Sequence, residues 1–185
     1  MSGMLALSRM IDAITERIGK AMGWLILAAV LVSSINALVR FSINRSSNAW
    51  LELQWYLFGA VVLLGAAYTF KANEHIRIDI ISSRLAKRTR DWIDVVGHIF
   101  FLMPLCIVVM WLGWPFFLRS YALGEVSSSA GGLIVWPAKL LVPLGFTILF
   151  VQSFSELIKR IAVIQGLIDD PHEAGGGAHG VPAVE

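Results

Sequence analysis

Four apolar windows, separated by segments that are dense in charge, dominate the pattern of hydrophobic and polar positions. The first three windows cover residues 21–39, 53–70 and 95–118, and none of them contains Asp, Glu, Lys or Arg. The fourth window, 140–155, is shorter, but the uncharged stretch 131–136 lies just before it. About 20 apolar residues are needed for a helix to cross the hydrocarbon core of a bilayer. The pattern therefore predicts an all-α membrane protein with four transmembrane helices, at about 21–40, 52–71, 94–118 and 137–158.

Two segments outside the windows have an amphipathic pattern. Before the first span, apolar residues recur at helical spacing: Met4, Leu7, Ile11, Ile14 and Ile18. This pattern predicts a helix that lies on the membrane surface and bends into the bilayer. The loop 73–94 is similar and predicts a second interfacial helix. The final stretch, 171–185, is rich in Gly and Pro and poor in apolar residues. We therefore expect a membrane domain over 1–165 and a flexible tail over 166–185.

The basic residues of the ends and loops predict the orientation of the four spans. The side that holds both termini and the middle loop carries 11 Lys and Arg residues, against 4 on the other side. Lys and Arg are concentrated in the cytoplasmic loops of membrane proteins. Both termini are therefore expected in the cytoplasm, and the protein is expected to be a multi-pass membrane protein.

Composition supports this interpretation and excludes several classes of protein. Hydrophobic residues make up 57% of the chain and charged residues only 15%, whereas soluble domains carry about 25% charged residues. A net charge of +2 is too small to indicate binding of nucleic acid. The single cysteine, Cys106, lies in an apolar window and is expected to act as a small hydrophobic residue.

The middle of each span lacks the groups that a coupled transporter needs. Such proteins place polar or charged residues near the membrane midplane, where a charge costs about 2.5–3.5 kcal/mol and persists only for a function. The polar residues in the windows here are neutral: Ser33, Ser34, Asn36 and Thr147. There is also no nucleophile beside a base and no Cys/His cluster of metal-binding spacing. We expect no catalytic residue, no metal site and no cofactor.

Two functions remain to be weighed against these observations. A membrane anchor of a respiratory enzyme, with or without haem, has the same size and span count. Haem of the b type is usually held by two facing histidines, but only His98 lies in a span, close to Asp94. A stand-alone exporter or assembly protein is the second alternative, and the absence of an acid inside the membrane counts against it.

Several short motifs carry a resemblance to a known family. In the first half they are Val39-Arg40-Phe41, Trp50-Leu51-Glu52-Leu53, Leu64-Gly65-Ala66-Ala67 and Asn73-Glu74-His75-Ile76-Arg77-Ile78-Asp79. In the second half they are Gly124-Glu125-Val126-Ser127, Trp136-Pro137-Ala138-Lys139 and Pro143-Leu144-Gly145. Together they resemble the DctQ-like proteins, the small membrane subunits of tripartite ATP-independent periplasmic (TRAP) transporters. The family often carries two adjacent acids around Glu52, where this chain has one.

The resemblance implies two protein partners and a different role for each of the three proteins. A large, many-span permease subunit would hold the transport site, and a periplasmic solute-binding protein would capture an organic acid. The present chain would be an accessory subunit of sodium-driven uptake, embedded in the lipid bilayer. The resemblance and the position of the motif residues suggest contacts with the large subunit at six positions: Arg40, Trp50, Glu52, His75, Arg77 and Asp79.

The individual motif residues have alternative roles that the sequence leaves open. Glu52 can pair with Arg40, with Arg45 or with a partner chain, or it can be a solvated acid at the membrane interface. His75 and Asp79 are four residues apart and would share one helix face. Glu125 and Ser127, in an outer loop, are candidates for contact with the binding protein, or they are ordinary loop residues.

Overall fold

The computed structural model describes residues 2–43, 47–72 and 87–169, and these residues are mainly helical. The helices are α1 (Ser2–Ile43), α2 (Asn48–Lys71), α3 (Lys87–Gly97), α4 (Met103–Ala122) and α5 (Trp136–Ile164). A π turn, His98–Leu102, joins α3 and α4 into one helix over Lys87–Ala122. Four helices are thus long and apolar enough to cross a membrane. This result confirms the prediction of an all-α protein with four spans.

The first helix is longer than the sequence pattern predicted. Its 42 residues extend about 63 Å, which is roughly twice the thickness of the hydrocarbon core. Residues 4–18 are helical, as expected, but no break separates them from the span that follows. The reason is that Ser8 and Thr15, on the polar side of this segment, are buried against α5. The segment is therefore part of the helix packing and not a separate surface helix.

The last helix lies at the centre of the arrangement. It packs against α1, α2 and α4, while α1 also packs against α2 and the Lys87–Ala122 helix packs chiefly on α5. Small residues allow close approach at these contacts. A Cβ atom at Gly145 would lie 2.7 Å from the carbonyl oxygen of Leu63, and one at Gly113 would lie 3.2 Å from Cβ of Pro143. Because α5 is enclosed on three sides, it is the most buried of the four spans.

Two prolines shape the spans where they pack. Pro104 is the second residue after the π turn, and its ring nitrogen cannot donate the usual helical hydrogen bond. The wider π turn changes the hydrogen-bond pattern at that point, so α3 and α4 continue as one helix. Pro143 is fully buried in α5, and its carbonyl accepts a hydrogen bond from the Thr147 hydroxyl at 2.6 Å.

Charged side chains gather at the two ends of the helices. We call one end the base; it includes Asp12 of α1, Lys71 of α2, Asp91 of α3 and Lys159 of α5, joined through ion pairs and hydrogen bonds. We call the other the loop end; it includes Glu52 of α2 and the connection between α4 and α5. The uncharged windows lie between these two ends, as a membrane-spanning domain requires.

Candidate functional site

The connection between α4 and α5 forms a short hairpin at the loop end. Val126 and Ile134 make an isolated antiparallel bridge. The Ser127 amide donates to the Leu133 carbonyl, and the Val135 amide donates to the Glu125 carbonyl, both at 2.9 Å. We call residues 125–135 the hairpin. The backbone hydrogen bonds give this loop a defined shape.

The carboxylate of Glu52 attaches the hairpin to the start of α2. One carboxylate oxygen accepts a hydrogen bond from the Ser127 hydroxyl, and the other accepts from the Leu133 amide at 2.7 Å. Glu52 is only 8% exposed. Hydrogen bonds to an ionised group are shorter and stronger than those between neutral groups. Glu52 therefore acts here as an internal anchor for a loop that is distant in sequence.

Close packing around Glu52 requires glycine at position 132. A Cβ atom on Gly132 would lie 2.5 Å from Cβ of Ser127 and 2.9 Å from a carboxylate oxygen of Glu52. Two further contacts fix the hairpin to α2: Asn48 donates to the Ala130 carbonyl at 3.0 Å, and the Tyr56 hydroxyl donates to the Ile134 carbonyl at 3.3 Å. The first two turns of α2 thus form the support of the hairpin.

An ion pair joins the hairpin to the start of α5. The Lys139 ammonium donates to the Glu125 carboxylate and also lies 4.2 Å from the centre of the Phe116 ring. The hydrogen bond from Lys139 holds the pKa of Glu125 below its usual range. Glu125 is therefore ionised and engaged within the chain, although part of its side chain remains exposed.

The structure brings some of the predicted contact residues together and separates others. Glu52 and Ser127 bond to each other. Of the alternatives that the sequence left open for Glu52, the pair with Arg40 is not formed, and Arg40 is exposed in the last turn of α1. Trp50 is also exposed, one turn into α2. Four residues lie outside the described part of the chain: Arg45, His75, Arg77 and Asp79.

A cluster of polar side chains connects α1 to α5 at the base. The Asp12 carboxylate accepts three hydrogen bonds: from Gln152 at 2.8 Å, from Ser155 at 2.9 Å and from Lys159 at 2.9 Å. Burial of Asp12 raises its pKa, but the hydrogen bonds and the charge of Lys159 outweigh that effect, so the pKa lies below 3.8. Asp12 is thus a carboxylate held by donors from another helix.

The cluster extends along both helices through neutral side chains. The Thr15 hydroxyl donates to the Gln152 side-chain oxygen at 2.7 Å, and the Ser8 and Ser155 hydroxyls lie 2.7 Å apart. Glu156 accepts from Gln152 at 3.0 Å and from Lys159. Gln152 and Ser155 are fully buried, and buried polar groups are stabilising only when their hydrogen bonds are made. The cluster meets that condition.

Ion pairs link the remaining helices at the base. Lys71 at the end of α2 pairs with Glu16 at 3.0 Å, and Lys20 pairs with the same carboxylate at 2.7 Å. The hydrogen bond from Lys20 and, to a smaller extent, the one from Lys71 lower the pKa of Glu16 to about 2. Arg160 of α5 pairs with two acids of α3, at 3.0 and 3.2 Å: Asp91 and Asp94. The base is therefore a belt of charge that includes residues of α1, α2, α3 and α5.

Sequence reasoning missed this belt because it treated charged residues beside an apolar window as solvated. The sequence does contain a pattern from which the belt could have been predicted. Polar residues recur at helical spacing on one side of α1: Ser8, Asp12 and Thr15. They recur again near the end of α5: Gln152, Ser155, Glu156 and Lys159. Two such polar stripes, each at one end of a helix that also contains an apolar span, favour an arrangement in which the stripes face each other.

The described residues offer little for chemistry on a solute. None of their His, Cys, Asp and Glu side chains form a group of three or more that could hold a metal ion. His98 lies at the π turn with its ring edge-on to Phe70, at 5.2 Å between ring centres. Two surface grooves run along α1 and α5, and their walls are almost entirely apolar. Such grooves provide no charged group that could orient an anionic solute.

Comparison with known protein families identifies most of the chain. A family model described as "Tripartite ATP-independent periplasmic transporters, DctQ component" matches residues 29–163. That stretch includes the hairpin, Glu52 and Lys159, but it begins after Asp12 and the other α1 residues of the base. No curated protein and no solved structure matches the chain.

Proposed function

The chain belongs to the DctQ family of TRAP transporter components, and from this premise we propose what it contributes to transport. It is a small membrane subunit of a transporter and not an enzyme. We propose that it acts as a scaffold for a large, many-span permease subunit in the bacterial inner membrane. The complete transporter would use a sodium gradient to take up an organic acid that a periplasmic solute-binding protein delivers.

The observation that carries the scaffold role is the distribution of charge. All Asp, Glu, Lys and Arg residues lie outside the central windows of the four spans. At the base and the loop end, the charged groups described above are engaged in bonds within the chain. Coupled transport of an anion with sodium needs polar groups at the midplane. A second polypeptide would have to supply them.

The open arrangement of the spans supports association with a partner inside the membrane. The Lys87–Ala122 helix packs chiefly on α5, and it leaves large apolar side chains on its outer surface. Trp111, for example, is 77% exposed. In a membrane such a surface is covered by lipid or by another helix. The exposed Trp50 and Arg40, at the other end of the spans, remain proposed contacts with the large subunit.

In this proposal two residues of the loop end, Glu52 and Ser127, serve to hold the hairpin and are no longer direct contacts with a partner. Because Glu52 and Ser127 bond to each other, they would hold the hairpin in shape, and other hairpin residues would meet the binding protein. Glu125, which is partly exposed beside Lys139, stays a proposed contact. This assignment places the loop end in the periplasm and the base in the cytoplasm. His75, Arg77 and Asp79 remain proposed contacts with the large subunit on the basis of the resemblance alone.

Purification from native membranes and reconstitution test the scaffold role. A C-terminally tagged chain should co-purify, at about one to one, with a membrane protein that has many more predicted spans. Proteoliposomes should take up the organic acid that stabilises the cognate binding protein in a thermal-shift screen. Uptake should require the tagged chain, the large protein, the binding protein and a sodium gradient. Sodium-driven uptake by this chain without a larger partner would contradict the proposal, and so would full uptake by the large protein alone.

A further inference from the structure

The outward face of α3 carries apolar side chains that are exposed among the described residues. One side of this helix faces α5, because Asp91 and Val95 are buried and Asp91 pairs with Arg160 at 3.0 Å. The opposite side exposes three large residues by 52%, 53% and 46%: Trp92, Ile93 and Val96. The exposed apolar surface continues into the third span with Phe100, which is 69% exposed. The outward face of α3 is therefore continuous with the lipid-facing surface.

Two arginines lie on either side of this apolar face. Arg88 and Arg90 are exposed in the first turn of α3. Successive residues of an α-helix are separated by about 100°, so these two side chains fall on opposite flanks of the direction in which Trp92 and Val96 point. Long basic side chains in such positions can keep their stems on apolar surface and their charged ends in a polar layer.

The carboxylates nearest to the arginines, each within one turn of α3, already bond to another residue. Asp91 and Asp94 both pair with Arg160, at 3.0 and 3.2 Å, on the side of α3 that faces α5. The acidic residues of α3 are thus engaged in the interior, and the outward face is left with positive charge. An anionic group from outside the protein would complement that charge.

The depth of these residues matches the headgroup layer of a bilayer. The third apolar window begins at Val95. With a rise of about 1.5 Å per residue, Trp92 lies about 4.5 Å outside the window, Arg90 about 7.5 Å and Arg88 about 10 Å. Each headgroup region is roughly 5–8 Å thick. Tryptophan is enriched at this boundary. Arg90 lies within the headgroup layer, and the long side chain of Arg88 can reach back into it.

We propose that the outward face of α3 binds anionic phospholipids. The guanidinium groups of Arg88 and Arg90 contact the headgroups, and Trp92, Ile93 and Val96 pack against the upper part of the acyl chains. An acidic segment of a soluble protein would complement the arginines, but it would not cover the apolar residues between them. A lipid leaflet supplies both components at the correct depth. This surface belongs to the base end of the helices, whereas the hairpin belongs to the loop end.

Quenching of Trp92 by brominated lipids tests this proposal with the full chain reconstituted in vesicles. The vesicles contain phosphatidylcholine and phosphatidylglycerol, with bromine on the acyl chains of one lipid or the other. The chain has 7 tryptophans, so the Trp92 signal is taken as the difference between the wild type and Trp92→Phe. Circular dichroism should show equal helix content in both proteins.

Phosphatidylglycerol should be enriched around Trp92 relative to its bulk fraction. Each basic residue near the surface contributes a factor of about five, so two arginines give at most roughly 25-fold. The enrichment should fall in 0.5 M salt, because the Debye length shortens. It should be lost in the double variant Arg88→Gln/Arg90→Gln. The matched control Arg9→Gln/Arg17→Gln removes two exposed arginines from α1 and should leave Trp92 quenching unchanged.

Three results would overturn the proposal. The first is equal quenching by the two brominated lipids in the wild type. The second is a preference that persists after both arginines are replaced. The third is release of the lipid by 10 mM inorganic phosphate at constant ionic strength, which would indicate a site for the free anion. The measurement needs no transport partner and no solute, so a negative result leaves the proposed transporter role unaffected.

Discussion

The Glu52 carboxylate accepts a hydrogen bond from the Ser127 hydroxyl, which lies 75 residues later in the chain. With the Leu133 amide as second donor, this contact holds the hairpin on α2. Replacing Glu52 with Ala should leave both donors without their acceptor. We expect amide hydrogen exchange at Leu133 to become at least about tenfold faster. Glu52→Gln keeps one acceptor oxygen and should have a smaller effect.

The variant Arg40→Gln is the control for the hydrogen-exchange measurement at Leu133. Arg40 is exposed and is not a partner of Glu52 in the structure. Arg40→Gln should therefore leave exchange at Leu133 unchanged in the isolated subunit. Unaltered exchange in Glu52→Ala would show that the hairpin keeps its shape without this anchor.

Gly132→Ala should disturb the hairpin by steric overlap. The new methyl group would lie 2.5 Å from Cβ of Ser127, which is far inside van der Waals contact. The expected result is faster cleavage of the hairpin by a protease and weaker binding to the solute-binding protein. Adding Ser127→Gly removes the nearest atoms and should restore part of the resistance. Gly23→Ala is a matched control, since its added methyl carbon would meet no atom within 4 Å.

Asp12→Ala should loosen the contact between α1 and α5. Lys159 would lose one of two carboxylate partners in a partly buried place. The loss for a fully buried pair is about 3–5 kcal/mol, and partial exposure of this pair reduces the expected loss to about 1–3 kcal/mol. Thermal unfolding in detergent measures the change. A double-mutant cycle with Lys159→Met isolates the pair, and a coupling energy near zero would contradict this assignment.

The contribution of Asp12 should depend on pH in a defined direction. Its pKa in the folded protein lies below the ordinary value of 3.8. The carboxylate is therefore stabilising in full above the ordinary value, and the contribution is lost as the pH falls through the lower, folded pKa. The stability difference between the wild type and Asp12→Ala should be constant from about pH 5 to 7 and shrink below about pH 4. A difference that grows on acidification would refute the assigned direction.

Gly145→Ala tests the close approach of α2 and α5. The added carbon would lie 2.7 Å from the Leu63 carbonyl oxygen, a backbone atom that cannot turn aside. Overpacking of this kind costs about 1–3 kcal/mol, which exceeds the gain of up to about 1 kcal/mol from alanine in a helix. Gly59→Ala, at the same interface, would place its carbon 3.9 Å from Leu141 and should be neutral or stabilising. Equal stability of the two variants would contradict the packing described for these helices.

Reporter fusions can test the orientation proposed from the basic residues. A reporter placed after Glu185 should be active as a cytoplasmic fusion, and one inserted within residues 42–48 should be active as a periplasmic fusion. The expectation follows from 11 basic residues on one side against 4 on the other. A periplasmic C-terminus would contradict the orientation and reverse the assignment of base and loop end.

The number and approximate position of the spans could be predicted from the sequence because an apolar window is a local property. The contacts between helices could not be predicted in the same way. In the sequence Glu52 is an acid at the end of a span, and only the folded chain shows that Ser127 and Leu133 are its partners. The same holds for Asp12 and Lys159, which are 147 residues apart. Their pairing depends on the relative rotation and depth of two helices, which a one-dimensional pattern does not specify.

Lys159 and Arg160 are adjacent in α5 but point in different directions. Lys159 contacts Asp12 of α1, and Arg160 contacts Asp91 and Asp94 of α3. Because these contacts lie on two sides of the helix, rotation of α5 about its own axis would stretch both at once. The ion pairs of this helical turn therefore oppose rotation of α5 in both directions. A movement of α5 at this end of the protein would therefore either break these ion pairs or carry α1 and α3 with it.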